Sequence, residues 1–453
     1  MPDSAANISE HHTLSGGYIF MKMIQALIGA ALLAIAGCSG NQQTGNDTSA
    51  APEGVAAPSA GTAVVKPGIE VLEAEAFAPL RGKRVGLVTN PTGIDNSMRS
   101  TIDILASAPE VKLTALFAPE HGVRGDHVAG ETVSNSVDKA TGVQVYSLHG
   151  RTKKPTAEML RNVDVIVYDI QDIGCRSYTF ISTMGLCMEA AAANGKEFMV
   201  LDRPDPLGGN KVEGNILEKG RESFVGRFNI PYIYGLTPGE LASWLKGEGM
   251  ISGAASLKLT VIPMEGWRRD MTFDRTGMPW VLPSPQIPTP ATAFLYPATG
   301  IMGELDYVSI GVGYTLPFGL TAAPWIDAQE LAARLTSLGI PGVEFRPLHY
   351  KPYFGLFSSR NIGGVQIYIT DPAAAPLTLL QFYIMQELAA LYPDHKAFAS
   401  ATTQRLKMFD MVCGSSTPRE LFGKNYRVDD LRPFWEKDVD SFKASTAKYH
   451  LYE

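Results

Sequence analysis

Residues 163–172 read VDVIVYDIQD. Positions 163–170 are apolar almost throughout and rich in β-branched side chains, which fits a strand buried on both faces of a parallel sheet. The run feeds SYTFISTMGLCMEAAAANG (177–195), a helix closed by Asn194-Gly195, and then a second apolar run, EFMVLD (197–202). Strand, crossover helix and strand in that order predict a parallel βαβ unit.

The same alternation extends outward. Upstream stand a strand RVGLVTN (84–90), a helix MRSTIDILASA (98–108), a strand VKLTALFAP (111–119), a shorter strand VQVYSL (143–148) and a helix from Pro155. Downstream come a helix over 237–249 and a strand LKLTVIPM (257–264). The proline-rich stretch 278–300 is expected to run extended, since proline removes backbone donors. Beyond it the pattern predicts a helix over 323–339, a strand GGVQIYITD (363–371), a long amphipathic helix over 376–393 and a mixed tail. The expected fold is α/β: a Rossmann-like parallel-sheet catalytic domain over 67–300, followed by a smaller α+β auxiliary domain over 301–453.

Before the first domain lies a different composition. MKMIQALIGAALLAIAGCSG, from Met21, has a basic start, an apolar run too short to span a bilayer, and small residues before Cys38. Ile35-Ala36-Gly37-Cys38 resembles a bacterial lipobox, so 1–37 read as an upstream extension and lipoprotein signal peptide, with Cys38 the lipidated residue. Residues 38–66 hold almost no large apolar side chain and cannot repay the entropy of folding. They read as a disordered tether reaching roughly 30 Å by random-coil scaling. The expected location is periplasmic or membrane-anchored, touching membrane only through that lipid.

The chain of 453 residues has a net charge of -7 and no basic block, which argues against nucleic acid as a partner. Cys175, Cys187 and Cys413 show no metal-type spacing and read as buried small residues. NPTG follows the first strand where a dinucleotide site needs G-x-G-x-x-G, and no G-x-S-x-G elbow occurs. No H-x-x-x-H or H-x-H pair accompanies His121, so neither a metal nor an organic cofactor is expected.

In open parallel sheets, ligands bind at the carboxyl ends of the strands. Those ends carry Asn90, then Glu120-His121 within LFAPEHGVRGD (116–126), then Asp169 and Asp172, then Asp202-Arg203-Pro204-Asp205. Glu120 follows an apolar strand and a proline, an environment that favours a proton-holding carboxyl and hence a general acid. Asp172, Asp202 and Asp205 are candidates for the second carboxylate of glycosidic hydrolysis, or for helix caps. Arg124, Arg176 and Arg203 stand beside them, able to neutralise a carboxylate or grip an anionic substrate.

The ordered motifs VTNPTG (88–93), LFAPEHGVRGD, AGETV (129–133), VYSLHG (145–150), VYDIQDIGCRSYTFISTM (167–184), LDRPDPLGG (201–209), VEGNIL (212–217) and PSPQIPT (283–289) resemble the exo-β-N-acetylmuramidases, a glycoside hydrolase family formerly of unknown function. The resemblance implies release of N-acetylmuramic acid from non-reducing ends of peptidoglycan fragments, muropeptides or disaccharides. It implies Glu120 as the catalytic glutamate and Asp169, Asp172, Asp202 and Arg203 as cleft residues; beyond the resemblance, Asp172 or Asp202 is expected to assist Glu120, and Asn90, His121, Arg124, Arg176, Tyr178, Ser284 and Glu304 are expected to bind substrate. Tyr307 and Val312 stand where the family tends to carry Asn and Arg, which leaves a muropeptide-binding lipoprotein without catalysis as the alternative.

Overall fold

The computed structural model describes residues 64–125 and 135–453. Cys38, the signal segment, the tether up to residue 63, Asp126 and the AGETV motif lie outside the described residues.

Among the described residues, ten strands form two sheets. The larger contains β1 (Arg84–Thr89), β2 (Lys112–Ala118), β3 (Ser136–Val137), β4 (Gln144–Ser147), β5 (Val165–Asp169), β6 (Glu197–Leu201) and β7 (Lys258–Ile262). Their order is β3-β4-β2-β1-β5-β6-β7, parallel throughout except for the short edge strand β3. Chain order therefore reverses between β1 and β5, where Thr89 pairs with Asp169. That is the doubly wound arrangement, with its crevice between these two strands.

Helices cover both faces because the strands alternate. Val88, Ile166, Tyr168, Phe198 and Val200 face one core, with the helix Phe180–Ala193 and the helix Pro238–Gly247. Val85, Leu87, Val165, Val167, Met199 and Leu201 face the other, with Gly68–Ala74 and Thr101–Ser107. Ser100 caps the helix Thr101–Ser107, and Thr237 with Glu240 closes a capping box on the helix Pro238–Gly247.

The smaller sheet, β8 (Leu320–Ala323), β10 (Ile362–Ile369) and β9 (Val343–Tyr350), is antiparallel and packs in a third core. The helix Leu377–Leu391 crosses that core and is buried on most sides, not amphipathic as the sequence pattern predicts. Helices from the following segment cover the face the pattern would leave to solvent. Two further expectations are corrected. In place of the helix expected from Pro155, residues 157–162 form consecutive turns. The proline-rich stretch is irregular only to residue 289; Pro290–Gly303 is a helix, with Pro290 in the first turn, where no donor is lost. Its apolar side chains pack into the third core, which sustains the helix past Pro297.

Residues after this bundle return to the first domain. Phe442 packs edge-on against Trp244 at 5.6 Å, and Tyr452 against Trp267 at 5.0 Å.

Candidate active site

The turns after β1 and β5 are bonded directly to each other. Asn90 Oδ1 accepts from the Thr92 amide (3.0 Å) and hydroxyl (2.5 Å), while Thr92 Oγ1 accepts from the Gln171 amide (2.8 Å). A Cβ on Gly93 would sit 2.2 Å from the Thr89 hydroxyl oxygen, so only glycine fits there. NPTG is thus a brace between two strand ends. Asn90 Nδ2, Gln171 Oε1, Asp172 Oδ2 and Asp205 Oδ2 are buried without hydrogen-bond partners. Unclaimed polar atoms clustered at strand ends are what a polar ligand would satisfy.

Asp172 Oδ1 accepts from the amides of Ile173 (2.7 Å) and Gly174 (3.0 Å) and from the Tyr234 hydroxyl (3.0 Å). Burial pushes its carboxyl up to about 7, outweighing those donors. Asp205 lies against the same turn: a Cβ on Gly174 would meet its Oδ1 at 2.4 Å. Burial holds Asp205 well above the ordinary carboxylate range.

Glu120 stands in the turn after β2, closed by the Gly122 amide to Pro119 O at 3.2 Å. His121 has φ 74, a left-handed conformation that histidine tolerates better than most non-glycine residues. The Glu120 side chain is 25% exposed, and His149 Nε2, beyond β4, lies 4.0 Å from its Oε1. Tyr178 joins the acids: its buried hydroxyl lies by Ser284 and within electrostatic reach of Asp172, Tyr296 and Glu120. Tyr296 stacks edge-on against Tyr178 at 5.7 Å, bonds Ser177 Oγ at 3.0 Å and feels Glu304 and Asp172. Glu120, Asp172, Tyr178, Ser284, Tyr296 and Glu304 therefore form one neighbourhood, contributed by both domains.

Other expected site residues are engaged by the fold. Asp202 is buried, and its oxygens accept from the amides of Arg203 (3.0 Å) and Gly239 (2.7 Å) and from the hydroxyls of Thr237 (2.7 Å) and Tyr452 (2.5 Å). It holds the start of the helix Pro238–Gly247, the capping role the sequence left open. Arg203 and Asp169 form a buried ion pair at 2.5 Å, and Thr101 Oγ1 also donates to Asp169. Arg124 is taken up by Asp138 and Asp103, each at 2.8 Å. Arg176 donates to four backbone carbonyls, of Asn215 (2.7 Å), Ile230 (2.6 Å), Val412 (3.3 Å) and Cys413 (2.8 Å). Of the two roles the sequence leaves open to these arginines, the fold uses the first: each guanidinium has its carboxylate or carbonyl partners.

Sequence reasoning missed His149, Tyr296 and Tyr234. His149 follows β4 as Glu120 follows β2, so the strand-end rule was the signal that could have found it. Among the described residues no group of three His, Cys, Asp or Glu side chains could hold a metal ion. Cys175, Cys187 and Cys413 are free and buried.

The raised carboxyls have a measurable consequence. Asp172 and Asp202 keep their protons to about 7 in the folded chain, whereas an unfolded aspartate releases its proton near about 3.9. The stability they lend is full below the unfolded value and is lost as pH rises through the folded one. Chemical denaturation at about pH 4.5 and about pH 7.5 should therefore show Asp172→Asn gaining on the wild type by on the order of 2–4 kcal/mol. A difference that stays constant with pH would contradict the buried, neutral carboxyl.

Two family models cover the described fold: exo-β-N-acetylmuramidase NamZ, N-terminal, over residues 85–291, and its C-terminal counterpart over 294–452. The chain is 45% identical over 388 residues to the peptidoglycan β-N-acetylmuramidase NamZ of Bacillus subtilis, covering 86% of this chain and 91% of that protein. Two crystal structures of DUF1343 family proteins from Bacteroides fragilis are similar. One has 54% identity and a TM-score of 0.82, the other 25% and 0.66; each match spans 86% of this chain and 99% of the other.

Proposed function

Since this chain belongs to the exo-β-N-acetylmuramidase NamZ family, we infer that it is a glycoside hydrolase releasing N-acetylmuramic acid from the non-reducing ends of peptidoglycan fragments. The observation that carries its chemistry is that Glu120 and Asp172 both lie within electrostatic reach of Tyr178, with His149 Nε2 4.0 Å from Glu120 Oε1. Glu120 is the general acid: it gives its proton to the glycosidic oxygen as the bond to the anomeric carbon breaks, and the remaining fragment leaves with a free hydroxyl. Water supplies the oxygen added to the sugar, and the proton that water loses returns to Glu120, restoring the acid. Asp172, neutral to about 7, offers its unclaimed Oδ2 to the bound sugar or to that water. Asn90, His121, Ser284 and Glu304 hold the sugar, and Asp202 supports the scaffold. A binder that does not cleave is disfavoured by the 45% identity to a curated hydrolase.

The purified full chain should release chromophore from a chromogenic N-acetylmuramide and leave the matching N-acetylglucosaminide intact. No release from either, beside an active muramidase, would reject the enzyme.

The export motif supports a lipid anchor at Cys38 that holds the enzyme near cell wall. Fatty-acid labelling should mark the wild type and not Cys38→Ala; equal labelling would refute the anchor.

A further inference from the structure

Away from the acids, the second domain exposes a group of aromatic rings. Tyr353 is 69% and Phe354 57% exposed, among the most exposed large apolar side chains of the described residues. They do not hang loose. The Tyr314 ring lies against Tyr350 at 4.6 Å and Tyr353 at 5.5 Å, tilted by 33° and 32°. The Tyr350 hydroxyl donates to Ser309 Oγ at 2.8 Å, fixing the base of the stack.

The loop that presents them is pinned. The Tyr353 amide donates to Gly313 O at 2.8 Å, and a Cβ on Gly313, at φ 91, would meet the Phe354 carbonyl oxygen at 2.1 Å. Phe357 and Ser359 take φ 61 and 63, a conformation costly for side chains of their kind. Backbone held against its preference, beneath rings held against water, is a combination that structures keep where something binds.

Position and charge narrow the occupant. Rings run from Tyr178 in the acid neighbourhood to Tyr296 at 5.7 Å and Phe318 at 4.9 Å. Phe318, itself buried, stands four residues along the chain from Tyr314, so the same segment of the second domain packs towards the acid neighbourhood and carries the base of the exposed stack. The loop KPYFGLFSSRN (351–361) carries Lys351 and Arg360 and no acid, although the whole chain has a net charge of -7. Arg360 lies over the Phe357 ring at 5.8 Å. Flat rings with hydroxyl edges suit a pyranose, which is apolar on its C–H faces and polar at its rim. The cations suit a polymer bearing carboxylates.

We propose that Tyr353 and Phe354, backed by Tyr314, form a sugar-stacking platform that holds the acidic glycan strand beyond the residue being removed, making strands, not free disaccharides, the preferred substrate class. The proposal rests on the muramidase reading of the acid site.

The test compares wild type with the double variant Tyr353→Ala/Phe354→Ala, and with Tyr353→Trp as the conservative variant. Both ring positions are exposed, so folding should be kept; circular dichroism and sedimentation velocity check this. The platform predicts that kcat/KM on peptidoglycan glycan strands falls about tenfold in the double variant, the scale of two lost ring contacts. Turnover of the chromogenic N-acetylmuramide should stay unchanged, and Tyr353→Trp should keep strand activity. Equal kcat/KM on strands, or parallel losses on both substrates, would overturn the platform. Co-sedimentation with insoluble peptidoglycan in a Glu120→Gln background gives a readout independent of turnover: weaker retention of the ring-less variant supports the platform, and equal retention overturns it. Should wild type cleave neither substrate, the muramidase reading fails while this retention still decides the platform. A dimer that dissociates in the double variant with retention unchanged would assign the rings to self-association and overturn the proposal.

Discussion

Glu120→Gln should lower kcat on a muramic-acid disaccharide by about 10²–10⁴-fold while the fold stays intact. The side chain is 25% exposed, so an isosteric amide adds no buried charge and changes little in packing. What it removes is the proton. A sugar alkoxide is a poor leaving group and needs that proton in the transition state, whereas a nitrophenolate leaves readily without it. The deficit should therefore shrink by at least about tenfold on a nitrophenyl substrate if Glu120 acts as acid. An equal loss on both leaving groups would instead make Glu120 a nucleophile or an electrostatic stabiliser. Activity within about twofold of wild type on the disaccharide would remove Glu120 from the chemistry.

The second large effect concerns stability. Arg176→Met should destabilise the folded chain by about 4 kcal/mol or more, read as a lower denaturant midpoint at unchanged m-value. Four carbonyls lose their donor together, and a buried acceptor without a partner costs about 1–3 kcal/mol. Two of them, of Val412 and Cys413, end the helix Thr403–Cys413, where a cation also offsets the negative end of the helix dipole. Burial lowers the guanidinium only to about 10, so it stays charged at any working pH. Arg176→Lys should fall between, since one ammonium cannot span all four acceptors. A methionine variant within about 1 kcal/mol of wild type would contradict the staple.

The parallel sheet was legible because β1, β5 and β6 are short, apolar and β-branched, with few competing signals. The acid neighbourhood was legible for a topological reason: loops at one end of such a sheet must converge. The division of labour within it was not. Asp172 and Asp202 both end buried strands and both titrate near 7. What separates them is that Asp172 Oδ2 has no partner while Asp202 Oδ2 accepts from Thr237 and from Tyr452, 35 and 250 residues away. Arg176 likewise bonds to residues 236 and 237 positions away. Local patterns report local preference, and these partners are set by tertiary packing. The helix Pro290–Gly303 shows the same limit, since burial of its apolar side chains overrode its prolines.

The return of the chain to its first domain bears on the order of assembly. Val65, Met264 and Trp267 make one small core, and Tyr452 packs on it. Synthesis thus delivers the auxiliary domain before the catalytic one has its last contacts. A nascent chain halted after residue 436 would carry the acid site's strands without Phe442 or Tyr452. Completion waits on the final segment, and shortening that segment from its far end should loosen the Asp202 anchor before it disturbs any residue that meets substrate.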